Sequence, residues 1–221
     1  MKKLISLFVI IAYAHVSMAQ EDIVYDIDSN VYHTVVIKDQ IWLKENLKAS
    51  RYNNGDKIET SMTFDFTIKE EAEPKYQWIY KNDNKYLQTY GRLYTYYVIS
   101  DSRKICPTGW HVASDDEWTI LEKELGGRSI AGGKLKEVGL VHWKTPNKGS
   151  KKRTDFSALP GGERENNNSF DFIGIMGYWW TATERDEKTA YTRRMLFQET
   201  DCNRTGHKKD NGMAVRCIKN K

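Results

Sequence analysis

The stretch ICPTGWHVASDDEWTILEKELGG, Ile105 to Gly127, constrains the fold more than any other, because it holds a helix with both ends written in side-chain chemistry. Ser114 followed by Glu117 makes a capping box: the serine hydroxyl satisfies an orphan N–H of the first turn, and the glutamate reaches back to the serine N–H. Asp115 and Asp116 add negative charge at the positive end of the helix dipole. Trp118, Leu121 and Leu125 recur at spacings of three and four, and Gly126-Gly127 supply a left-handed stop. A helix with one apolar stripe must bury it against another layer. Just before it, Cys106, Pro107, Gly109, Trp110 and His111 crowd together, a mixture that metal sites, redox sites and tight structural turns all use.

Strand text on either side supplies the other layer. VYHTVVIKDQIWLKENL sets β-branched and aromatic residues about a polar Lys38-Asp39-Gln40, which predicts a hairpin whose second strand carries Ile41 and Leu43 on one face. Asn54-Gly55 marks a turn. From Glu59 to Tyr90 the text becomes charged and aromatic, with Pro74 against any helix, and reads as a long surface insertion. Leu93, Tyr96 and Tyr97 are spaced for a short buried helix or turn. SIAGGKLKEVG predicts a second short helix, weakened by two interior glycines. FSALPGGER, GYWWTATER, AYTRRMLF and GMAVRCIK follow as short strands of a twisted antiparallel sheet. The order strands, helices, strands is that of an α+β domain.

The chain opens MKKLISLFVIIAYAHVSMAQ, which reads as a secretory signal over residues 1–19: two lysines, an apolar run from Leu4 to Ala14, and small residues at Ser17 and Ala19. That run falls short of the roughly 20 residues that span a bilayer, so no stable membrane anchor is expected. A lipid-bearing cysteine would have to follow the cleavage site, and the first cysteine is Cys106. Without Lys2 and Lys3 the formal charge drops from +4 to +2, which gives no electrostatic case for nucleic acid. The basic cluster NKGSKKR, Asn147 to Arg153, reads as a solvated loop. Three cysteines in an exported chain suggest one disulfide and one spare thiol.

Taken in order, DQIWLKENLKASRYNNGDKI, YGRLYTYYVIS, ICPTGWHVASDDEWTILEKELGG, AGGKLKEVG, FSALPGGERENNNSF, GYWWTATE and MAVRCIK resemble the Fibrobacter succinogenes major paralogous domain, over 34–219 after a lead-in at 20–33 and with an insertion around 59–90. That domain occurs in secreted and surface proteins, many from Bacteroidota. The resemblance implies a C-type lectin-like fold, with two helices, a twisted antiparallel sheet, paired chain ends and long loops, shared distantly with the formylglycine-generating enzymes. It implies that Cys106 pairs with Cys217, leaving Cys202 as an unpaired loop thiol. The crowded segment then becomes architecture: Pro107 and Gly109 turn the chain, Trp110 plugs the core, and His111 bonds a backbone carbonyl.

Candidate chemistry is sparse. His33, His111, His142 and His207 are scattered and make no zinc motif. Calcium is the cofactor to consider, with Glu163, Glu165, Asn166, Asn167 and Asp171 offering oxygen ligands in what reads as a flexible loop, although the Glu-Pro-Asn and Trp-Asn-Asp signatures of sugar-binding lectins are missing. A copper-oxidase site would need Cys202 and Cys217 together. In a strand, Trp179 and Trp180 point to opposite faces; core packing on both faces is the expected reading, and the alternative leaves one tryptophan facing outward to stack on a sugar. The expected function is a non-catalytic binding or interaction module of the bacterial envelope, with a polysaccharide or a protein as partner. The periplasm, the cell surface and the exterior are equally admissible locations. The alternatives are an enzyme of the formylglycine-generating branch and a structural component of a surface assembly.

Overall fold

In the computed structural model, residues 22–61, 71–151 and 154–221 are described. The signal sequence expected at residues 1–19 lies outside them. Strands β1 (Ile23–Tyr25), β2 (Val31–Ile37) and β3 (Gln40–Leu43) form an antiparallel meander, with Val35 opposite Trp42 in the predicted hairpin. Alternation in β3 sends Ile41 and Leu43 to one core cluster and Trp42 to the other. The lead-in is therefore part of the sheet, and its Tyr32 is fully buried, donating to Asp26 at 2.7 Å.

The chain then makes β4 (Gln77–Trp78), α1 (Leu87–Tyr90), β5 (Leu93–Tyr94), α2 (Tyr96–Ile99), β6 (Trp110–Val112), α3 (Asp115–Glu124) and α4 (Arg128–Leu135). Strands β7 (Gly161–Arg164), β8 (Phe170–Ile173), β9 (Met176–Glu184), β10 (Thr189–Leu196), β11 (Asn203–Lys208) and β12 (Cys217–Lys219) complete it. Two five-stranded sheets result, ordered β1-β2-β3-β12-β6 and β11-β10-β9-β7-β8, with β4-β5 as a small third. The architecture is thus mostly β with a few short helices. One expectation is corrected: pairing is not wholly antiparallel, because β7 and β9 run parallel at Gly162 and Gly177.

Helix α3 carries the complete capping box, with Gly126 and Gly127 at φ +92° and +101° closing it. The interior glycines of α4 are explained by close packing. A Cβ on Gly132 would collide with the Asp201 carbonyl, and one on Gly133 would come within 2.9 Å of Gly149 O. Cys106 on the approach to β6 is bonded to Cys217 on β12, so the turn before the helical layer is tied to the last strand. His111 differs from expectation: its ring meets side chains, Nδ1 to Asn220 Oδ1 at 2.7 Å and Nε2 to Glu117 Oε1 at 2.9 Å. As a β6 residue pointing toward the capping box, it finds the glutamate before any carbonyl.

The expected surface insertion is also only partly on the surface. Trp78 and Tyr80 are buried, and β4 pairs with β5, so the aromatic half of 59–90 belongs to the core. Charged text hid this because the aromatics are interleaved with lysines and asparagines that stay in water.

Candidate functional site

The residues singled out from sequence do not form one site. Trp179 and Trp180 are each 0% exposed. Alternation does send them to opposite faces, but both faces of β9 are covered. Trp179 lies against Trp118 and donates to Asn46 at 2.8 Å, and Trp180 packs edge-on to Tyr96 and donates to Tyr94 O at 2.7 Å. Neither can stack on a ligand.

The presumed flexible loop is a β7–β8 hairpin. Glu163 lies opposite Asp171 across it, and the turn is held by Asn168 N to Glu165 O at 3.0 Å and Ser169 N to Asn167 Oδ1 at 2.9 Å. Glu163 is 4% exposed, with Oε2 buried and unpartnered. Burial, then the charges of Glu165 and Asp171, push its carboxyl up to about 7. Asn166 turns away to donate to Asp210 Oδ2 at 2.9 Å, Asp171 accepts from Ser169, and Asn167 is exposed. Glu163 is turned inward, and Glu163, Glu165 and Asp171 do not converge on a common point as a calcium ion would require. Among the described residues no three His, Cys, Asp or Glu side chains converge as a metal site. Cys217 is committed to its disulfide and Cys202 is buried, so the two cannot share a copper ion.

The open site is elsewhere. The single turn α2 buries Tyr96 and Val98 and leaves Tyr97 between them half-exposed toward a groove of about 790 Å³. It is lined by Ala72, Glu73 and Lys75, by Asp101 and Ser102 after α2, by Glu184 at the end of β9, by Glu187 and Lys188 of the β9–β10 turn, and by Lys209. Tyr97, Lys188 and Lys209 also line an adjoining hollow of about 450 Å³, completed by Glu71, Pro74, Asn166, Lys208 and Asp210. Asn166 is thus the one sequence-stated candidate that reaches this groove. A second hollow, on the other side of the β7–β8 turn, takes Asn167 with Lys81, Asn82 and Phe170.

The groove walls are fixed by paired charges. Lys75 bonds Asp101 at 3.0 Å, Arg103 bonds the same carboxylate at 2.8 Å, and Lys209 bonds Glu184 at 2.8 Å. Hydrogen bonds from Arg103 hold the Asp101 carboxyl well below the usual carboxylate range despite its burial. The β9–β10 turn is closed by Asp186, which accepts from Lys188 N at 2.9 Å and Thr189 N at 2.8 Å. Burial pushes the Tyr97 hydroxyl up, so it stays a neutral donor at ordinary pH. Such a surface offers one aromatic face and, close by, fixed acceptors and donors of both signs. Sequence reasoning missed it because its residues come from four separated segments, and only the fold brings Glu73, Tyr97, Glu184 and Lys209 together.

A family model described as the Fibrobacter succinogenes major domain matches residues 35–219. No curated protein and no solved structure matches the chain.

Proposed function

The chain belongs to the Fibrobacter succinogenes major domain family, and from that premise we propose that it is an exported, non-catalytic binding module of the bacterial envelope whose ligand is a polysaccharide lying in the Tyr97 groove. The observation that carries this reading is the groove itself, two adjoining hollows that share Tyr97, Lys188 and Lys209 as lining. A sugar ring offers an apolar face to an aromatic, and each of its hydroxyls both donates and accepts. Walls that set carboxylates beside ammonium groups meet both needs, and an open groove suits a chain that enters and leaves at its ends.

We read the fold as C-type lectin-like. Supporting this are the N-terminal β2–β3 hairpin and the C-terminal β12 in one sheet, two successive helices between the sheets' strands, and the Cys106–Cys217 bond. Export is supported by the leader-like first residues and by a disulfide, which persists in oxidising compartments.

The test is retention of the protein on a panel of envelope and plant-type polysaccharides, with calcium and with EDTA. Retention on at least one polymer, lost in Tyr97→Ala, is the expected result. Indifference of every polymer to the protein, or retention unaffected by Tyr97→Ala, would remove the groove as the ligand site.

A further inference from the structure

A second surface, independent of the groove, lies in the segment after α4. Val138, Leu140 and Val141 are 50%, 56% and 80% exposed within four consecutive residues, an unusual outlay of aliphatic side chains to water. They are not exposed through looseness. Asn147, itself buried, donates its side-chain N–H groups to Glu137 O at 2.9 Å and to Gly139 O at 2.7 Å, which staples the segment from beneath. His142 is bonded to Glu137 at 2.9 Å, and buried Trp143 anchors the far end through Ala158 O at 2.9 Å. The fold holds the backbone and leaves the apolar tip outside.

Backbone hydrogen bonds hold the stretch that carries the neighbouring charges. Lys144 and Lys148 flank Asn147 in sequence and are exposed, with Lys144 N on Gly174 O at 2.8 Å and Lys148 N on Phe197 O at 2.7 Å. Lys151, next along the chain, is also exposed. Glu137, the carboxylate nearest the tip in sequence, is already bonded to His142. An exposed aliphatic tip bonded through Asn147 to a stretch carrying three exposed lysines matches one kind of surface: an anionic phospholipid bilayer, where the tip enters the acyl boundary and the ammonium groups meet phosphates.

We propose that this segment is a peripheral docking site for an anionic phospholipid membrane, Val138, Leu140 and Val141 inserting and Lys144, Lys148 and Lys151 meeting the headgroups. It is a reversible contact, distinct from a spanning anchor. Read alone, the basic cluster is a solvated loop; the apolar tip pinned against it by Asn147 gives it a partner.

The experiment is co-sedimentation of the chain from Gln20 onward, which contains every described element, with vesicles of phosphatidylcholine alone or mixed with phosphatidylglycerol. The expected result is retention on the mixed vesicles only, weakened by salt. Lys144→Gln and Lys148→Gln should each weaken it about fivefold. The double change Leu140→Ser with Val141→Ser should weaken it more than about tenfold. All these side chains are exposed, so thermal unfolding of the variants should match the parent and separates lost docking from lost folding. Retention on neither vesicle, retention that survives the double change, or self-association through the tip seen by sedimentation without lipid would each overturn the proposal. None of these results depends on whether the Tyr97 groove takes a polysaccharide.

Discussion

Arg193, on β10 in the second sheet, places its Nε 2.6 Å from Glu122 Oε1 on α3, and neither residue is open to water. The same guanidinium bonds Asp115 and the Asp115 carbonyl, so the first and last turns of the helix hang on one side chain. Replacing it with methionine leaves two buried carboxylates without their shared cation. Arg193→Met should cost about 3 to 5 kcal/mol in urea unfolding. Burial pushes the Asp115 carboxyl up, but the bonds from Arg204 and Arg193 outweigh it and the net shift is downward. Its contribution is therefore present above the ordinary carboxylate pKa and is lost as pH falls. In Arg193→Met that acid-side loss should shrink.

Glu163 works in the opposite sense. A carboxyl raised from 4.5 to about 7 binds more protons folded than unfolded, so the stability it supplies is fully present below 4.5 and is lost as pH rises through 7. The amount is on the order of 3 kcal/mol. His207, pushed down to about 4 by burial and then by Arg194, contributes stability that is present above 6.5 and lost as pH falls through 4. Glu163→Gln should therefore gain stability over the parent at pH 8 and little at pH 4. Thermal unfolding across pH checks this; equal pH profiles for the two proteins would exclude a raised Glu163.

The Cys106–Cys217 bond closes a loop spanning 111 positions. In the chain-entropy account, Cys106→Ala with Cys217→Ala should lose on the order of 4 to 5 kcal/mol of stability. Burial pushes the Cys202 thiol well up, so a thiol reagent should find no reactive group in the native protein and only Cys202 after unfolding without reductant.

Gly132→Ala is expected to behave as an overpacked helix and not as an improved one. Alanine normally favours a helix by about 1 kcal/mol over glycine. Here the added methyl meets the Asp201 carbonyl, so a net loss of about 1 to 3 kcal/mol is expected in the same unfolding assay.

What could be read from sequence follows how local the determining physics is. Helix α3 was legible from Ser114 to Gly127 because caps and stop are local chemistry. The Cys106–Cys217 pairing needed a family resemblance, since two cysteines far apart carry no local signal. Strands β8 and β11 were missed: FDFI lay inside polar text that read as a loop, and NRTGHK has almost no apolar content. Polar side chains can fill a strand whose neighbours supply the pairing, and periodicity cannot register that. Three arginines were invisible for the same reason. Arg164, Arg193 and Arg216 are among the fully buried side chains, and Arg216 bonds Leu43 O, Phe156 O and Asn46 Oδ1 at 2.8 to 3.2 Å. A charge in text reads as surface until partners from distant segments enclose it.

The candidate site divides along the same line. The β7–β8 carboxylates were visible as composition, yet the hairpin turns Glu163 inward, and Glu163, Glu165 and Asp171 do not converge as a metal-holding set. Tyr97 was visible only as a helical-face residue, and its place in the groove depends on Glu73, Glu184 and Lys209 arriving from elsewhere. The two surfaces therefore predict different outcomes in one experiment. If the groove binds, Tyr97→Ala should weaken retention on the selected polysaccharide about tenfold, from loss of the aromatic contact. Asp171→Asn should leave that retention unchanged, and so should EDTA. If the hairpin carboxylates held a calcium that orders the ligand, the pattern would invert: EDTA and Asp171→Asn would abolish retention while Tyr97→Ala spared it. Unfolding midpoints measured alongside decide whether either variant failed through its site, because Tyr97 is only half-buried and its removal should cost the fold little.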